Sequence, residues 1–320
     1  MPYVLVPPPP PDELEAIAAG RWNAITSDRP ELATAVDLQR KLLARVIRLK
    51  QTIETSRLPR LSLPGKYLAA KLSRGVPALA GEPIPLPEAV LTATLVQLCG
   101  ELAASGAGEA AEHIRTAVVD GSLDAGSLLT ASLTRDQDAI RTGAVHRGLA
   151  PDLVWLVAEL TVGPFAYVLQ RAVFAGAAAP EVPSAAPREG LAAALDAWSH
   201  GYCPACGSWP AMAEVVGGHR TLRCSFCAAA WELLTYACAY CGEDGEAFVT
   251  AAPDEERKDR RVEVCSTCSG YLKTVDTFSL SPFPLLSIGD LDTMDLDMAA
   301  MEHGYKRPAL KEFKGPGAKG

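Results

Sequence analysis

The sequence predicts a multidomain α+β protein in which an all-α helical N-terminal domain precedes two small four-cysteine metal modules and a short C-terminal helix. Apolar residues recur at steps of three and four residues in much of the first half of the chain, as in amphipathic helices. Eight of the nine cysteines form four Cys-x-x-Cys pairs between Cys203 and Cys268. A proline- and alanine-rich stretch lies between these two regions, which predicts a domain boundary there.

The first helices follow from capping signals and periodicity. The prolines from Pro7 to Pro11 predict a short extended spacer. Asp12 and Glu15 then form a capping-box pattern that opens a first helix. A longer second helix is expected from near Pro30, because a series of apolar residues falls on one helical face. These residues are Ala35, Leu38, Leu42, Val46, Leu49 and Ile53.

The helical pattern continues after an irregular connection. Residues 58–87 are rich in proline, glycine and leucine, and only a short helix near residues 66–73 is expected among them. Helical spacing returns with Leu91, Leu95, Leu98 and Leu102. Shorter helices are expected between residues 108 and 147, with breaks at Gly121 and Gly143.

The stretch from Leu153 to Ala175 is apolar enough to raise the question of a membrane span. Glu159 and the Gly163-Pro164 pair interrupt it, so no run approaches the roughly 18 clean apolar residues that a span needs. We interpret this stretch as a buried helix that starts at Pro151 and is kinked at Pro164, and we expect no membrane insertion.

The segment from Gly176 to Gly190 is the clearest linker, since it contains three prolines among alanine, serine and glycine. We therefore predict an all-helical domain over residues 1–186. The first metal module with a lead-in helix follows over 187–233, the second module over 234–280, and a C-terminal helix and tail over 281–320.

The paired cysteines have the spacing of metal ligands. A Cys-x-x-Cys turn brings two thiolates to one side of a tight loop, and two turns complete a four-sulfur shell. Seventeen residues separate the first two pairs and twenty-three the last two, which suits rubredoxin-like (zinc-ribbon-like) modules. Such shells bind zinc or iron. The predicted ligands are Cys203, Cys206, Cys224, Cys227, Cys238, Cys241, Cys265 and Cys268.

Two pairings of the Cys-x-x-Cys turns are open. Sequential pairing joins the first turn to the second and the third to the fourth, whereas a cross-braced arrangement joins the first to the third. We favour sequential pairing because each half then contains its own hairpin. In the first half, strands 213–216 and 221–223 would be joined across Gly217-Gly218. His200 and His219 are close enough in sequence to replace a cysteine, but eight thiolates make them unnecessary.

Residues near the turns are candidates for supporting roles. Trp231 and Tyr271 follow their cysteine pairs closely, and we expect them to pack over the ligand loops and exclude water. A four-thiolate site with a divalent ion carries two net negative charges. Arg220, Arg223 and Lys273 are therefore candidates for an electrostatic role beside the sites.

The C-terminal elements are expected as follows. Residues 254–261 carry mixed charges and predict an exposed loop. Residues 271–278 predict a strand that closes the second module. Residues 285–305 predict one helix, and its apolar face would consist of Leu291, Met294, Met298 and Met301.

The composition and the absence of catalytic motifs disfavour several classes of function. A net charge of -8 gives no general attraction for nucleic acid or anionic lipid. The N-terminus has no secretion-signal pattern, so we expect a cytoplasmic protein with reduced thiols. His113, His146 and Cys99 are isolated, and no Walker loop, G-x-S-x-G elbow or H-E-x-x-H helix is present. We therefore expect a protein that is not an enzyme.

The cysteine motifs carry a family resemblance. The chain contains C-P-A-C-G-S at 203–208, L-R-C-S-F-C-x-x-x-W at 222–231, C-A-Y-C-G at 238–242, C-S-T-C-S-G-Y-L-K at 265–273 and D-L-D-M-A-A-M-E-H-G-Y-K-R at 295–307. In this order the motifs resemble the formate dehydrogenase accessory protein FdhE family. All eight paired cysteines fall where that family has them, whereas the opening prolines and residues 254–261 have no match.

The resemblance implies a helical domain followed by two rubredoxin-like modules that hold iron, or zinc in its place. It also implies a cytoplasmic role in maturing respiratory formate dehydrogenase, through contact with its catalytic subunit. Two other functions stay open from the residues alone. One is a rubredoxin-type electron carrier or oxidoreductase, and the other is a nucleic-acid-binding zinc ribbon, which the acidic balance disfavours.

Overall fold

In the computed structural model, residues 3–56, 63–178, 189–252 and 257–310 are described. They form two compact units. A helical unit contains residues 15–56 and 81–169, and a sheet unit contains residues 3–14, 63–80, 170–178, 189–252 and 257–310. This division does not test which segments fold on their own, so the boundaries after residues 186, 233 and 280 stay predictions.

The first part of the chain is helical, as predicted, except for a two-residue strand β1 (Tyr3–Val4). The helices are α1 (Pro11–Asp28), α2 (Ala33–Thr55), α3 (Gly65–Leu72), α4 (Glu88–Leu102), α5 (Gly108–Val119), α6 (Ala125–Leu133), α7 (Gln137–His146), α8 (Pro151–Ala178) and α9 (Glu189–Asp196). A 3-10 turn, Pro30–Leu32, precedes α2, and a π turn, Ala103–Ala107, joins α4 to α5.

Side-chain caps and a shared apolar core define the helices of the helical unit. Asp124 accepts a hydrogen bond from the Ser127 N–H at the start of α6, and Asp136 accepts one from the Ala139 N–H at the start of α7. Such caps satisfy amide groups that have no partner within the helix. The core that these helices bury includes Leu95, Cys99, Leu102, Ile114, Leu128, Ile140, Val154 and Val157.

Two helical predictions are settled by these bounds, and a third is tested at its ends. Gly121 follows α5 with a positive φ of 78°, which confirms the predicted break. The predicted break at Gly143 is wrong, because Gly143 lies inside α7, where a single glycine lowers helix propensity without ending the helix. The linker predicted over 176–190 is wrong at both ends, because α8 continues through Pro164 to Ala178 and α9 begins at Glu189; residues 179–188 lie outside the described residues.

Two helical stretches, Glu88–Val119 and Pro151–Phe174, are long and apolar enough to span a membrane by length and composition alone. In the first, Ser105 and Gly106 have non-helical backbone angles. In the second, 61% of the most apolar stretch of 18 residues is buried inside the protein, as expected of a core helix. These findings are weak evidence for a membrane span.

The seven strands found among the described residues belong to one sheet. They are β1, β2 (Pro210–Val216), β3 (His219–Cys224), β4 (Ala230–Glu232), β5 (Phe248–Ala251), β6 (Arg260–Cys265) and β7 (Gly270–Asp276), in the order β1-β4-β3-β2-β7-β6-β5. The predicted hairpin across Gly217-Gly218 is present as β2 and β3. The sheet repeats one arrangement, because β4-β3-β2 and β7-β6-β5 are consecutive three-stranded blocks.

A parallel contact fuses the two blocks. Strand β2 of the first block pairs with β7 of the second, from Met212↔Lys273 to Val215↔Asp276. The equivalent edge of the first block, on β4, pairs with β1 at Tyr3↔Trp231. The third strand of each block, β4 or β7, is therefore paired with a strand from outside that block, which protects that edge from aggregation.

The C-terminal region differs from the predicted single helix over 285–305. It forms α10 (Leu286–Asp292) and α11 (Met294–Glu302), separated at Thr293, whose side chain donates a hydrogen bond to the Gly289 carbonyl. The break changes which residues of α11 face the sheet. As a result Leu296 and Ala300 pack on the sheet, and the predicted face is wrong at Met298 and Met301, which are exposed.

The predicted loop over 254–261 is also partly wrong. Arg260 and Arg261 belong to β6, and residues 254–256 lie outside the described residues. Each arginine pairs with a carboxylate, Arg260 with Asp292 and Arg261 with Asp276. The two arginines that the sequence analysis placed in a loop therefore link β6 to neighbouring elements through ion pairs.

A buried ion pair lies inside the first block. Arg223 is fully buried and pairs with the buried carboxylate of Glu214, which also accepts a hydrogen bond from the Ser281 N–H. Arg223 donates a further hydrogen bond to the Ser281 carbonyl at 2.7 Å. Removing one member of such a pair leaves an uncompensated charge away from water.

We expect Glu214→Leu to lower the free energy of unfolding by about 3–5 kcal/mol, because Arg223 would lose its counter-charge. The double variant Glu214→Leu/Arg223→Met should recover most of that loss. Urea unfolding of the full chain measures both values. Asp276→Leu, which breaks the more exposed pair with Arg261, is the matched control and should cost less than about 1 kcal/mol. A double variant as unstable as Glu214→Leu would contradict this account.

Candidate metal centres

The eight paired cysteines come together in two groups of four. In each group one sulfur atom per residue lies within 4.8 Å of the others. The first group contains Cys203, Cys206, Cys224 and Cys227, and the second contains Cys238, Cys241, Cys265 and Cys268. The pairs are therefore grouped sequentially, and the cross-braced alternative does not occur.

The sulfur separations fit a shared ion better than disulfides. The Sγ atoms of Cys203 and Cys227 are 3.6 Å apart, and those of Cys206 and Cys224 are 3.5 Å apart. In the second group the corresponding distances are 3.7 and 3.6 Å. Disulfide sulfurs lie about 2.05 Å apart. Four sulfurs placed tetrahedrally at about 2.3 Å from one ion lie about 3.8 Å from each other. Metal ligation itself stays a prediction.

The same backbone loop carries the first cysteine pair of each group. The Cys203 N–H donates to the Ser208 carbonyl, and the Gly207 N–H donates to the Cys203 carbonyl. Cys238 and Gly242 repeat this pattern, with Glu243 in place of Ser208. The loop therefore holds the second cysteine of each pair in an equivalent position, with Cys206 corresponding to Cys241.

Every turn ends in a residue with positive φ directly after its second cysteine. Gly207 and Gly242 have φ of 82° and 81°, as the glycines in the sequence predict. Ala228 and Ser269 occupy the same position in the other two turns, each with φ of 53°. The left-handed backbone conformation is unfavourable for any residue that has a side chain. The geometry of the turn therefore overrides the conformational preference of alanine and serine at these two positions.

Backbone amides point at the sulfurs. The Ala205 N–H donates to the Cys203 sulfur, and the N–H groups of Phe226 and Cys227 donate to the Cys224 sulfur, each at 3.4 Å. Hydrogen bonds of this kind favour the negatively charged thiolate over the thiol. The turns therefore prepare their sulfurs to act as ligands.

Burial opposes the charged form of most of these thiols. Burial, together with neighbouring thiols, raises the pKa of Cys203 and of Cys227 well above the ordinary value. Burial also raises the pKa of Cys238 to about 11. At Cys265 burial acts in the same direction, but hydrogen bonds from the Cys268 N–H and other donors outweigh it and lower the pKa. Metal binding would thus release protons from the buried thiols.

The first group is covered by a segment distant in sequence. The N–H groups of Ala78 and Leu79 each donate a 2.8 Å hydrogen bond to the carbonyls of Pro204 and Ala205, inside the first turn. The buried Lys71 ammonium, at the end of α3, donates to the carbonyls of Ala78 and Ala80. Lys71 therefore holds the covering segment in place.

Backbone and aromatic contacts join the two groups. A Cβ atom at Gly201 would lie 1.7 Å from the Ala239 carbonyl oxygen, so only glycine fits beside the second group's first turn. The Trp209 ring, after the first turn of the first group, meets the Tyr240 ring edge-on at 5.3 Å. Tyr240 lies between two predicted ligands, Cys238 and Cys241. The two candidate sites are therefore neighbours in one packed structure.

The predicted supporting residues have other partners. Arg220 pairs with Glu263, and Lys273 pairs with both Asp290 and Asp297. Their charges are thus balanced by carboxylates, as is that of Arg223. His200 stacks on the Tyr202 ring at 4.8 Å, and His219 lies exposed at the start of β3. Neither histidine is part of a four-cysteine group in the described residues.

The two predicted aromatic covers are buried. The Trp231 indole N–H donates to the His200 carbonyl, and the Tyr271 hydroxyl donates to an Asp297 carboxylate oxygen at 2.8 Å. Sequence reasoning missed Lys71 and the segment at Ala78 and Leu79. No spacing signal marks them, because the segment contacts the first group through backbone atoms, and Lys71 acts on the segment through backbone carbonyls.

We expect Ser269→Gly to stabilise the folded protein and Gly242→Ala to destabilise it, by about 1 kcal/mol each. Both residues are exposed, both have positive φ, and no neighbouring atom approaches within 4 Å of a Cβ at Gly242. The difference therefore isolates the cost of left-handed backbone. Urea unfolding of the metal-loaded full chain measures both changes, and shifts of equal sign would contradict the explanation.

Comparison with known proteins gives similarity to one named group. No protein-family model matches the sequence. The FdhE homolog of Pseudomonas aeruginosa is 33% identical over 135 residues, which cover 39% of this chain and 43% of that protein. The homolog of Rhizobium meliloti is 29% identical over 119 residues, covering 35% and 39%. The matched part of the chain thus spans about two fifths of the length of these relatives.

A solved structure extends the similarity to the whole fold. The crystal structure of the FdhE protein from Pseudomonas aeruginosa superposes with a TM-score of 0.58 and 21% identity, covering 99% of this chain and 100% of that one. At this identity the match concerns the fold alone. Sequence similarity to several FdhE homologs over part of the chain, and a fold shared with an FdhE protein along the chain, together support the FdhE family.

Proposed function

We propose that the chain is a cytoplasmic accessory factor for the maturation of respiratory formate dehydrogenase, and that it binds the catalytic subunit of that enzyme. The observation that carries this proposal is the pair of four-cysteine groups held in one sheet, within a fold shared with an FdhE protein. The family that the cysteine motifs resemble consists of formate dehydrogenase accessory proteins.

We propose that each four-cysteine group holds one metal ion, iron or zinc. The sulfur separations of 3.5–3.7 Å and the amides directed at sulfur support this assignment. An ion in such a shell cross-links two turns, and iron would in addition exchange one electron. The ligands would be Cys203, Cys206, Cys224 and Cys227 for one ion, and Cys238, Cys241, Cys265 and Cys268 for the other.

The positions of the nine cysteines favour a binding role over nucleophilic catalysis. Eight of the nine cysteines are gathered in four-sulfur groups, and a complete thiolate shell leaves an ion no position for substrate. The ninth, Cys99, is fully buried in the helical core, where burial raises its pKa to about 11 and keeps it a thiol.

The net charge and the burial of α8 decide what we propose about nucleic acid and membranes as partners. The net charge of -8 opposes binding to nucleic acid, so we propose a protein partner and no nucleic acid. For the apolar helix α8 we propose a place in the protein core and no membrane insertion, because most of its most apolar stretch is buried.

A second candidate function is a rubredoxin-type electron carrier. One observation favours it, namely that Cys241 is exposed and Cys268 is partly exposed in the second group. An ion near the surface exchanges electrons with a partner more readily than a buried one. This role requires iron that is reduced and reoxidised reversibly, and a spectrum of the anaerobically purified protein tests it.

Affinity purification of the tagged chain from its native host tests the accessory role. We expect recovery of the catalytic subunit of a molybdenum- or tungsten-dependent formate dehydrogenase, identified by mass spectrometry. The Cys203→Ser/Cys206→Ser variant should recover less of it, since the first group would lose its shape. Cys99→Ser, which changes the one cysteine outside the groups, is the matched control. Recovery of ribosomes or nucleic acid in place of the enzyme would contradict the proposal.

A further inference from the structure

We infer that the two four-cysteine groups differ in access: the second group exchanges its ion with solution through Cys241, and the first group retains its ion. This inference rests on the proposed metal binding. It assigns different roles to two sites of the same composition. The ion that exchanges would be a soft divalent cation, and a thiol in solution would be the competing ligand. The four cysteines of each group occupy equivalent positions, so the comparison is position by position.

The exposure of equivalent cysteine residues differs at one position above all. Cys206 is 4% exposed, whereas its counterpart Cys241 belongs to the exposed residues. Cys227 is fully buried, whereas its counterpart Cys268 is partly exposed. The remaining four cysteines are buried in both groups. Access to the second group is therefore confined to the side that carries Cys241 and Cys268.

The loop that follows each of these cysteines shows the same difference. Gly207 and Ser208, after Cys206, are buried. The equivalent Gly242 is exposed, and Glu243 is partly exposed. The Ser208 hydroxyl also accepts a hydrogen bond from the Cys206 thiol at 3.3 Å. The first group thus has its second cysteine enclosed, and the second group has that position open to solvent.

A specific structural element closes the first group. The segment with Ala78 and Leu79 donates two hydrogen bonds to carbonyls between Cys203 and Cys206. In the second group, Ala239 and Tyr240 occupy the positions that Pro204 and Ala205 have in the first group. They contact Gly201 and Trp209, which flank the first turn of the first group in the sequence. Those contacts leave Cys241 exposed.

Exchange at an exposed cysteine ligand follows from ordinary ligand substitution. A donor atom from solution forms a bond to the ion as the bond from Cys241 breaks, and the freed thiolate of Cys241 takes a proton from water. No electron is transferred, and the charge of the ion is unchanged. At Cys206 the same substitution requires the covering segment to open first, which adds the free energy of local unfolding to the barrier.

Metal release from the full chain loaded with Zn²⁺ tests the inference. A chromogenic chelator in excess should remove one ion quickly and the other slowly. Cys241→Ser should lose the fast phase, and the matched variant Cys206→Ser should lose the slow phase. Lys71→Met, which releases the covering segment, should convert the slow phase to a fast one. Lys66→Met, at an exposed lysine on the same helix α3, should change neither phase.

Limited alkylation of the Zn²⁺-loaded wild-type chain gives a readout that needs no variant to fold. Iodoacetamide should modify Cys241 and Cys268 before Cys206 and Cys227, as peptide mass spectrometry would show. Release of both ions in one phase, or equal modification of Cys206 and Cys241, would overturn the inference alone. A chain that binds no ion would instead overturn the proposed metal sites.

Discussion

The convergence of four thiols on one point is the constraint on which the sheet unit depends. Each group needs two tight turns placed opposite each other, and the strands between them set that placement. In the first block, the pairing of Pro210 with Cys224 brings one turn to face the other. In the second block, Phe248 pairs with Cys265 to the same effect. A small block with little apolar core gains much of its folding free energy from an ion held in this way.

Repetition of this block explains the order of the strands. Both blocks run turn, strand, strand, turn, strand, and the outer strand of each accepts a further neighbour, β1 on β4 and β2 on β7. The copies differ in their surroundings. A segment anchored by Lys71 covers the first group, whereas the second group borders solvent at Cys241. Equal ligand sets in unequal environments are a means by which one fold can combine a structural ion with an accessible one.

The parts of this structure that local signals determine were predictable. Cysteine spacing predicted the two groups, and Gly217-Gly218 predicted the β2–β3 hairpin. The parallel pairing of β2 with β7 and the cover from Ala78 and Leu79 depend on backbone contacts between distant segments, which leave no periodic pattern. The helix break at Thr293 was missed because the apolar spacing across it looks continuous, although Met298 lies exposed.

The most direct test of the central claim is X-ray absorption at the metal edge of the anaerobically purified chain, combined with elemental analysis. The account predicts two ions per chain, each with four sulfur neighbours at about 2.3 Å and no lighter ligands. A spectrum dominated by nitrogen or oxygen ligands would contradict it, as would a metal-free protein whose cysteines are joined in disulfides.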